Sequence, residues 1–211
     1  MDGERRRAIL RDARLYLVTD GDVDGVREAL AGGVDLVQLR MKDAPDEHVL
    51  ETARSFREVC PLLIVNDRPD LALAAGADGV HVGQDDMTAE QARAIVGPDL
   101  LVGVSTDSRA QFAVADRSTA DYFAVGPVHE TPTKPGRPAV GLGLVRYAAA
   151  RATKPWFAIG GIDTGNVREV VSAGARRIVV VRAIRDAADP RGAAAELRAA
   201  LDLEPVGGAL R

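Results

Sequence analysis

Short runs of β-branched and aliphatic residues alternate along the chain with longer, Ala-rich, charge-bearing segments, one pair about every 25 residues. The runs are LYLVT (15–19), VDLVQLR (34–40), LLIVN (62–66), GVHV (79–82), LLVGV (100–104), YFAVG (122–126), WFAIG (156–160) and IVVV (178–181). Eight strands are predicted, separated by helices. In EHVLETARSFREVC, Val49, Leu50, Ala53, Phe56 and Val59 recur at three- and four-residue steps and give a helix one apolar face. Glycines in AGGVD, AAGADG and SAGARR stand where a helix ends before a strand begins. Short connections make consecutive parallel strands neighbours through right-handed crossovers, and eight of them close most simply as a single-domain (β/α)8 barrel. An open doubly wound sheet is the alternative. Residues 1–13 are expected to be an N-terminal arm, 14–202 the barrel, and 203–211, which lack periodicity, a frayed tail. Polar residues favour the barrel: Gln38 and Arg40, Asn66 and Asp67, Ser105 and Thr106, Gly160 and Gly161 all fall at strand C-terminal ends, which in a barrel converge on one mouth.

Composition narrows the class. Hydrophobic residues reach 46% of the 211 while aromatics are only 4%, so the core must be built from Ala, Val, Leu and Ile, the residues of parallel sheets and their covering helices. That excludes intrinsic disorder. A net charge of −4 argues against a nucleic-acid binder, which would carry a basic face. The apolar runs fall far short of the roughly 20 residues of a membrane helix, and MDGERRRAIL has no apolar stretch after its charges. With one cysteine, Cys60, no internal disulfide can form, and the expectation is a soluble protein of a reducing cytoplasm. A homodimer is the common assembly, but no residue pattern marks an interface.

Chemistry concentrates at the predicted mouth. In QLRMK the strand period puts Gln38, Arg40 and Lys42 on one face. An inward row of like charge is costly unless an anion neutralises it, as phosphate or pyrophosphate would. NDR (66–68) closes the third strand and GQDDM (83–87) follows the fourth, so Asp67 and one of Asp85 and Asp86 should share an ion. Oxygen ligands without clustered His or Cys favour Mg²⁺; the competing role is helix initiation, with Thr88 as N-cap and Gln91 completing a capping box. TPTKPG (131–136) offers two hydroxyls and an ammonium for an anion, or is a solvated loop; its length and charged tip suit a lid. Gly160 and Gly161 let backbone N–H groups approach a ligand, or serve a tight turn, and Asp163 and Thr164 are expected to cap the next helix. With Arg182 they occupy the loops after strands seven and eight, the recurrent phosphate site of such barrels. His48, His81 and His129 read as structural. No nucleophile triad, Cys/His metal set or GxGxxG stands out.

The ordered set YLVTD, QLRMK, NDR, DGVHVGQDD, GVST, VGPVHETPTKPG, AIGGI and VVVRAI resembles the thiamine-phosphate synthase family over nearly the whole chain. The resemblance implies a transferase that joins 4-amino-2-methyl-5-hydroxymethylpyrimidine diphosphate to thiazole phosphate, with Mg²⁺, giving thiamine phosphate and pyrophosphate. On matching positions it implies that Gln38, Arg40, Lys42 and Asn66 bind the pyrimidine diphosphate, Ser105 and Lys134 contact its leaving group, and Asp67 and Asp86 hold Mg²⁺. Thr131 and Thr133, with the backbone at Gly161, Val181 and Arg182, would cradle the thiazole phosphate. Two positions depart from the family pattern: Asp107 stands where it commonly has histidine, and Arg182 where it has serine. His129 replaces a frequent aromatic and reads as packing. The related thiazole tautomerase would carry a histidine where this chain has Pro127, which cannot transfer protons. A non-catalytic sensor would have lost Asp67, Asp86 or Lys134, and all three are present.

Overall fold

The computed structural model describes residues 1–131 and 138–202. Its strands are β1 (Leu15–Thr19), β2 (Leu36–Leu39), β3 (Leu63–Asn66), β4 (Gly79–Val82), β5 (Leu101–Thr106), β6 (Tyr122–Val125), β7 (Trp156–Ile159) and β8 (Ile178–Val180). All pair in parallel and in chain order, and β8 returns to β1 through Leu15↔Ile178, Tyr16↔Val179 and Leu17↔Val180. The expected (β/α)8 barrel is the observed fold. Its helices are α1 (Gly3–Asp12), α2 (Val23–Ala31), α3 (Asp46–Arg57), α4 (Pro69–Ala74), α5 (Ala89–Val96), α6 (Arg109–Arg117), α7 (Gly141–Arg151), α8 (Val167–Ser172), α9 (Arg182–Arg185) and α10 (Pro190–Asp202).

Strand ends differ from the sequence pattern where side chains take over the backbone's bonding. β2 starts at Leu36 rather than Val34 because the Asp35 carboxylate accepts from the N–H groups of Arg14 and Leu15, at 2.7 and 2.9 Å. β5 runs two residues beyond Val104, pairing Ser105 with Ala124 and Thr106 with Val125. The Thr88–Gln91 capping box is present. Asp163 and Thr164 do not cap α8, which starts at Val167; Asp163 instead accepts from Gly165 and Asn166 N–H and forms the turn before it. The three glycine turns end α2, α4 and α8 alike. Gly33, Gly76 and Gly174 take positive φ, and the two N–H groups after each helix bond back to its last turn, which closes the carbonyls left open there.

Outward strand residues such as Leu17, Val37, Val65 and Val80 pack under the helices, while inward ones such as Tyr16, Leu36, Ile64, Leu101 and Phe157 fill the barrel. Residues 3–12, within the segment expected as an arm, form α1, and its Leu10 joins the interior cluster from below. Charge organises this floor. Asp35, Asp78 and Asp121, evenly spaced along the chain, each precede an even-numbered strand, and each accepts a backbone N–H at the start of the odd strand before it: Leu15, Leu63 and Val102. Arginines answer them: Arg198 on Asp35, Arg6 on Asp78, and Arg7 and Arg93 on Asp121. Arg14 closes the seam beside β8, reaching the Arg176 carbonyl, the Leu201 carbonyl and the Asp202 carboxylate.

Asp78 is fully buried and serves Leu63 N–H, Arg6 at 3.0 Å and Arg57 at 3.6 Å. Removing one partner of a buried pair leaves the other charge uncompensated. Asp78→Ala is therefore expected to lower the unfolding free energy by about 3–5 kcal/mol, measured by denaturant titration; a loss under about 1 kcal/mol, the range of exposed pairs, would show that the floor does not depend on this clamp.

Candidate active site

The period of two continues to the strand tops, and there the inward residues turn polar. Gln38, Asn66, His81 and Ser105 are the inward residues of β2 to β5, and with Arg40 and Tyr16 they line one cavity. Gln38 is buried, and its Nε2 donates to the Tyr16 hydroxyl at 2.6 Å. The Tyr16 and Tyr122 hydroxyls lie 3.0 Å apart, and His81 bridges Tyr122 (Nδ1, 3.3 Å) to the Ser105 hydroxyl (Nε2, 3.0 Å). Both phenols are held far above the ordinary tyrosine range, chiefly by burial. Thr106, next to Ser105, faces the other way and donates to the Ala124 carbonyl.

Asp67 follows β3 in the left-handed region, φ 60°, with its N–H donated to the His81 carbonyl at 2.8 Å. Asp and Asn tolerate that conformation better than most residues. Its carboxylate accepts from Asn66 Nδ2 and stands 3.7 Å from Lys42 Nζ. Partial burial, then the neighbouring Asp86 carboxylate, push the Asp67 carboxyl above its usual range, and Lys42 and Asn66 only partly offset this. Asp86 accepts from Gly83 N–H. Of the two acids left open by spacing, Asp86, the one that the resemblance implies, is beside Asp67. Among the described residues no three His, Cys, Asp or Glu side chains gather. A pair of carboxylates that repel one another, next to a cavity with cations, is a donor set suited to a hard cation that takes its other ligands from water and phosphate.

Lys42 is about half exposed and stands outside the cavity lined by Gln38 and Arg40. Arg68 of the NDR motif is a structural clamp, bidentate on Asp46 and bound to Asp70.

The Gln38 cavity continues through Ser105, Ala124, Ile159 and Val181 into a wider one at the mouth, edged by Gln84, Asp107, Thr131 and Gly160. Thr131, Ile162 and Val181 lead on to a third, which holds Gly161, Arg182 and Ala183. Three connected cavities thus join the pyrimidine candidates to the phosphate candidates. Gly160 and Gly161 both have positive φ, and a Cβ on Gly161 would meet His129 Cβ at 2.8 Å and the Glu130 carbonyl at 2.9 Å. Asn166 Nδ2 ties the Gly161 carbonyl at 2.7 Å. The acids around Arg182 are already engaged: Asp163 by two backbone N–H groups, and Asp186 by Arg185, which holds that carboxyl below its usual range. His129 lies 3.3 Å from Glu169. Thr133, Lys134 and the rest of the expected lid after Thr131 fall outside the described residues.

A family described as thiamine monophosphate synthase matches residues 15–184, which span the barrel from β1 into α9. The chain belongs to that family. A thiamine-phosphate synthase of Acidothermus cellulolyticus is 53% identical over 208 residues, covering 92% of this chain and 98% of the relative. One of Thermobifida fusca is 53% identical over 209 residues, covering 92% and 95%. Among solved structures, the thiamine phosphate pyrophosphorylase of Pyrococcus furiosus superposes with a TM-score of 0.84 at 37% identity, covering 95% of this chain and 99% of that one. A 3-hexulose-6-phosphate synthase superposes at 0.64 with 24% identity, a likeness of fold alone.

Tyr16 and Tyr122 stand in no motif that the sequence marks, and His81, which reads from sequence as structural, contacts both Tyr122 and Ser105. The available signal was phase: each is an inward position of its strand, as Gln38 and Ser105 are.

Two facing carboxylates are a cost when nothing neutralises them. In metal-free protein, Asp67→Asn, which suits the same backbone conformation, is expected to raise stability by up to about 1 kcal/mol, since the pair is partly exposed and screened. Thermal unfolding in chelator measures this, and a clearly destabilised variant would show that Asp67 is net favourably held by Lys42 and Asn66.

Proposed function

We infer that this protein is an enzyme of thiamine biosynthesis that joins 4-amino-2-methyl-5-hydroxymethylpyrimidine diphosphate to thiazole phosphate, releasing pyrophosphate and forming thiamine phosphate. The observation that carries the reading is the continuous run of three cavities at the barrel mouth, with an amide at one end and a Gly-rich turn with Arg182 at the other, in a chain about half identical to thiamine-phosphate synthases over most of its length. Two ligands, both of them phosphorylated, need such a run. No helix among the described residues is long and apolar enough to cross a membrane, and the single, buried Cys60 supports a reducing cytoplasm.

In this reading Gln38 and Asn66 hold the pyrimidine, and Arg40 and Lys42 draw its diphosphate to the rim. The pyrimidine CH₂–O bond breaks to leave a cation delocalised into the aminopyrimidine, and the thiazole nitrogen then captures it. The demands on the protein are positioning and charge stabilisation, which agrees with a cavity that presents amides, hydroxyls and cations. Mg²⁺ held by Asp67 and Asp86 would supply charge neutralisation of the leaving group. Ser105, with Lys134 from the segment outside the described residues, donates to the departing oxygens. Thr131, the backbone at Gly161 and Val181, and Arg182 hold the thiazole phosphate, Arg182 replacing a hydroxyl contact by a charge-assisted one.

Purified protein given both substrates should release pyrophosphate and form thiamine phosphate, identified by mass, only when Mg²⁺ is present. Binding of both substrates with no product would replace the enzyme reading by that of a sensor. Arg182→Ala is expected to raise KM for thiazole phosphate about 10-fold or more, the worth of one charge-assisted contact, with the pyrimidine KM unchanged. The opposite split in steady-state kinetics would move Arg182 to the other substrate.

A further inference from the structure

Gln38 and Ser105 stand at the two ends of one chain of hydrogen bonds whose inner contacts can run in either direction. Gln38 Nε2 donates to Tyr16 at 2.6 Å, so the Tyr16 hydroxyl has its own proton to give, and Tyr122 lies 3.0 Å away. If Tyr16 gives that proton to Tyr122, Tyr122 gives its own to His81 Nδ1, 3.3 Å away. A neutral imidazole that accepts at Nδ1 carries its proton on Nε2, 3.0 Å from the Ser105 oxygen. What remains is an acceptor at one end, Gln38 Oε1, and a donor at the other, the Ser105 hydroxyl proton. Both ends belong to the same cavity.

We propose that Tyr16, Tyr122 and His81 are positioning residues that fix this polarity, so that the cavity offers an amide oxygen to an amino group and a hydroxyl proton to a diphosphate oxygen of one ligand. The proposal rests on the reading of the cavity as the pyrimidine diphosphate site, and it deepens it: the chain would select a ring that carries an exocyclic amine. Without the chain, the Gln38 amide could present either its oxygen or its nitrogen, and it could not tell a donor from an acceptor.

Space has been left for the chain's central link. A Cβ on Gly103 would lie 2.2 Å from Tyr122 Cζ, 2.5 Å from its hydroxyl and 2.6 Å from His81 Nδ1. Only a residue without a side chain lets phenol and imidazole meet there. Edge-to-face contacts of Tyr16 and Tyr122 with Phe157, at 5.5 and 5.8 Å between centroids, fix the two rings. Burial keeps both phenols protonated, as a chain of donors requires.

The test has two arms. In substrate-free protein, nitrogen NMR of labelled His81 should show the Nε2–H tautomer, and Tyr122→Phe, which keeps the ring and removes the link, should mix the tautomers. In kinetics, Tyr16→Phe and Tyr122→Phe should each raise KM for the pyrimidine diphosphate about 10-fold, the worth of one buried hydrogen bond with an orphaned partner, while KM for thiazole phosphate stays unchanged. Discrimination against the analogue lacking the exocyclic amine should shrink in Tyr16→Phe by about the same factor. A role limited to stability would lower the melting midpoint without splitting the two KM values or altering that discrimination, and this would overturn the proposal. So would an Nδ1–H tautomer in the wild type, which means that the chain runs the other way. A wild-type enzyme indifferent to the amine, with His81 in the expected tautomer, would overturn the placement of the pyrimidine beside Gln38 and hence the chain's selective role, while leaving the hydrogen-bond network itself intact.

Discussion

A polar group inside a closed barrel has no water to fall back on, and leaving it without a partner costs more than the bond it would make. The upper half of this barrel is governed by that constraint. Strand geometry forces every second residue inward, so Gln38, Asn66, His81 and Ser105 cannot turn to solvent without slipping the register of their strands. Gln38, His81 and Ser105 are satisfied by one another and by the hydroxyls of Tyr16 and Tyr122, and Asn66 donates to the Asp67 carboxylate. In a chain with so few aromatics, two of the three tyrosines lie in this interior. A ligand entering the mouth therefore meets polar groups whose orientations are already assigned, which is the condition for electrostatic preorganisation.

The floor solves the opposite problem with charge. Asp35, Asp78 and Asp121 hold strand starts that no neighbouring strand can serve, and arginines from α1, α5 and α10 neutralise them. At the mouth, Asp67 and Asp86 are not so balanced: burial and mutual repulsion dominate over Lys42 and Asn66. Acids that are fully compensated stabilise a fold, whereas acids left in excess are available to a ligand. The same residue type thus takes on different work at the two ends of one sheet.

Periodicity made the barrel legible. Eight apolar runs, short connections and polar strand ends are enough to choose eight-fold closure, and the glycine turns follow the helix-ending pattern read from AGGVD, AAGADG and SAGARR. The placement of Gln38, Asn66 and Ser105 in one cavity likewise follows from strand phase. The floor was less legible, because a lone Asp before a strand looks like turn chemistry until the strand it serves, distant in sequence, is known; nor could Arg6 or Arg198 be assigned partners from spacing. Phase also placed His81 inward, but only the approach of Tyr122 over Gly103 turns it from a packing residue into a link between two others. Between Asp85 and Asp86 spacing has no means of choosing, since a shift of one position in a loop carries no fixed period, and only the family resemblance names Asp86.

Arg14 grips both ends of the barrel: Asp35 beside it in the sheet is bonded to its backbone, and its guanidinium holds Arg176, Leu201 and Asp202. During synthesis Leu201 and Asp202 emerge only after all eight strands. Before that, β1 has an open edge that awaits β8, and the nascent chain carries an unclosed parallel sheet with exposed backbone donors and acceptors. The sheet therefore stays unsealed until β8 emerges, and Arg14 meets Leu201 and Asp202 of the last helix later still.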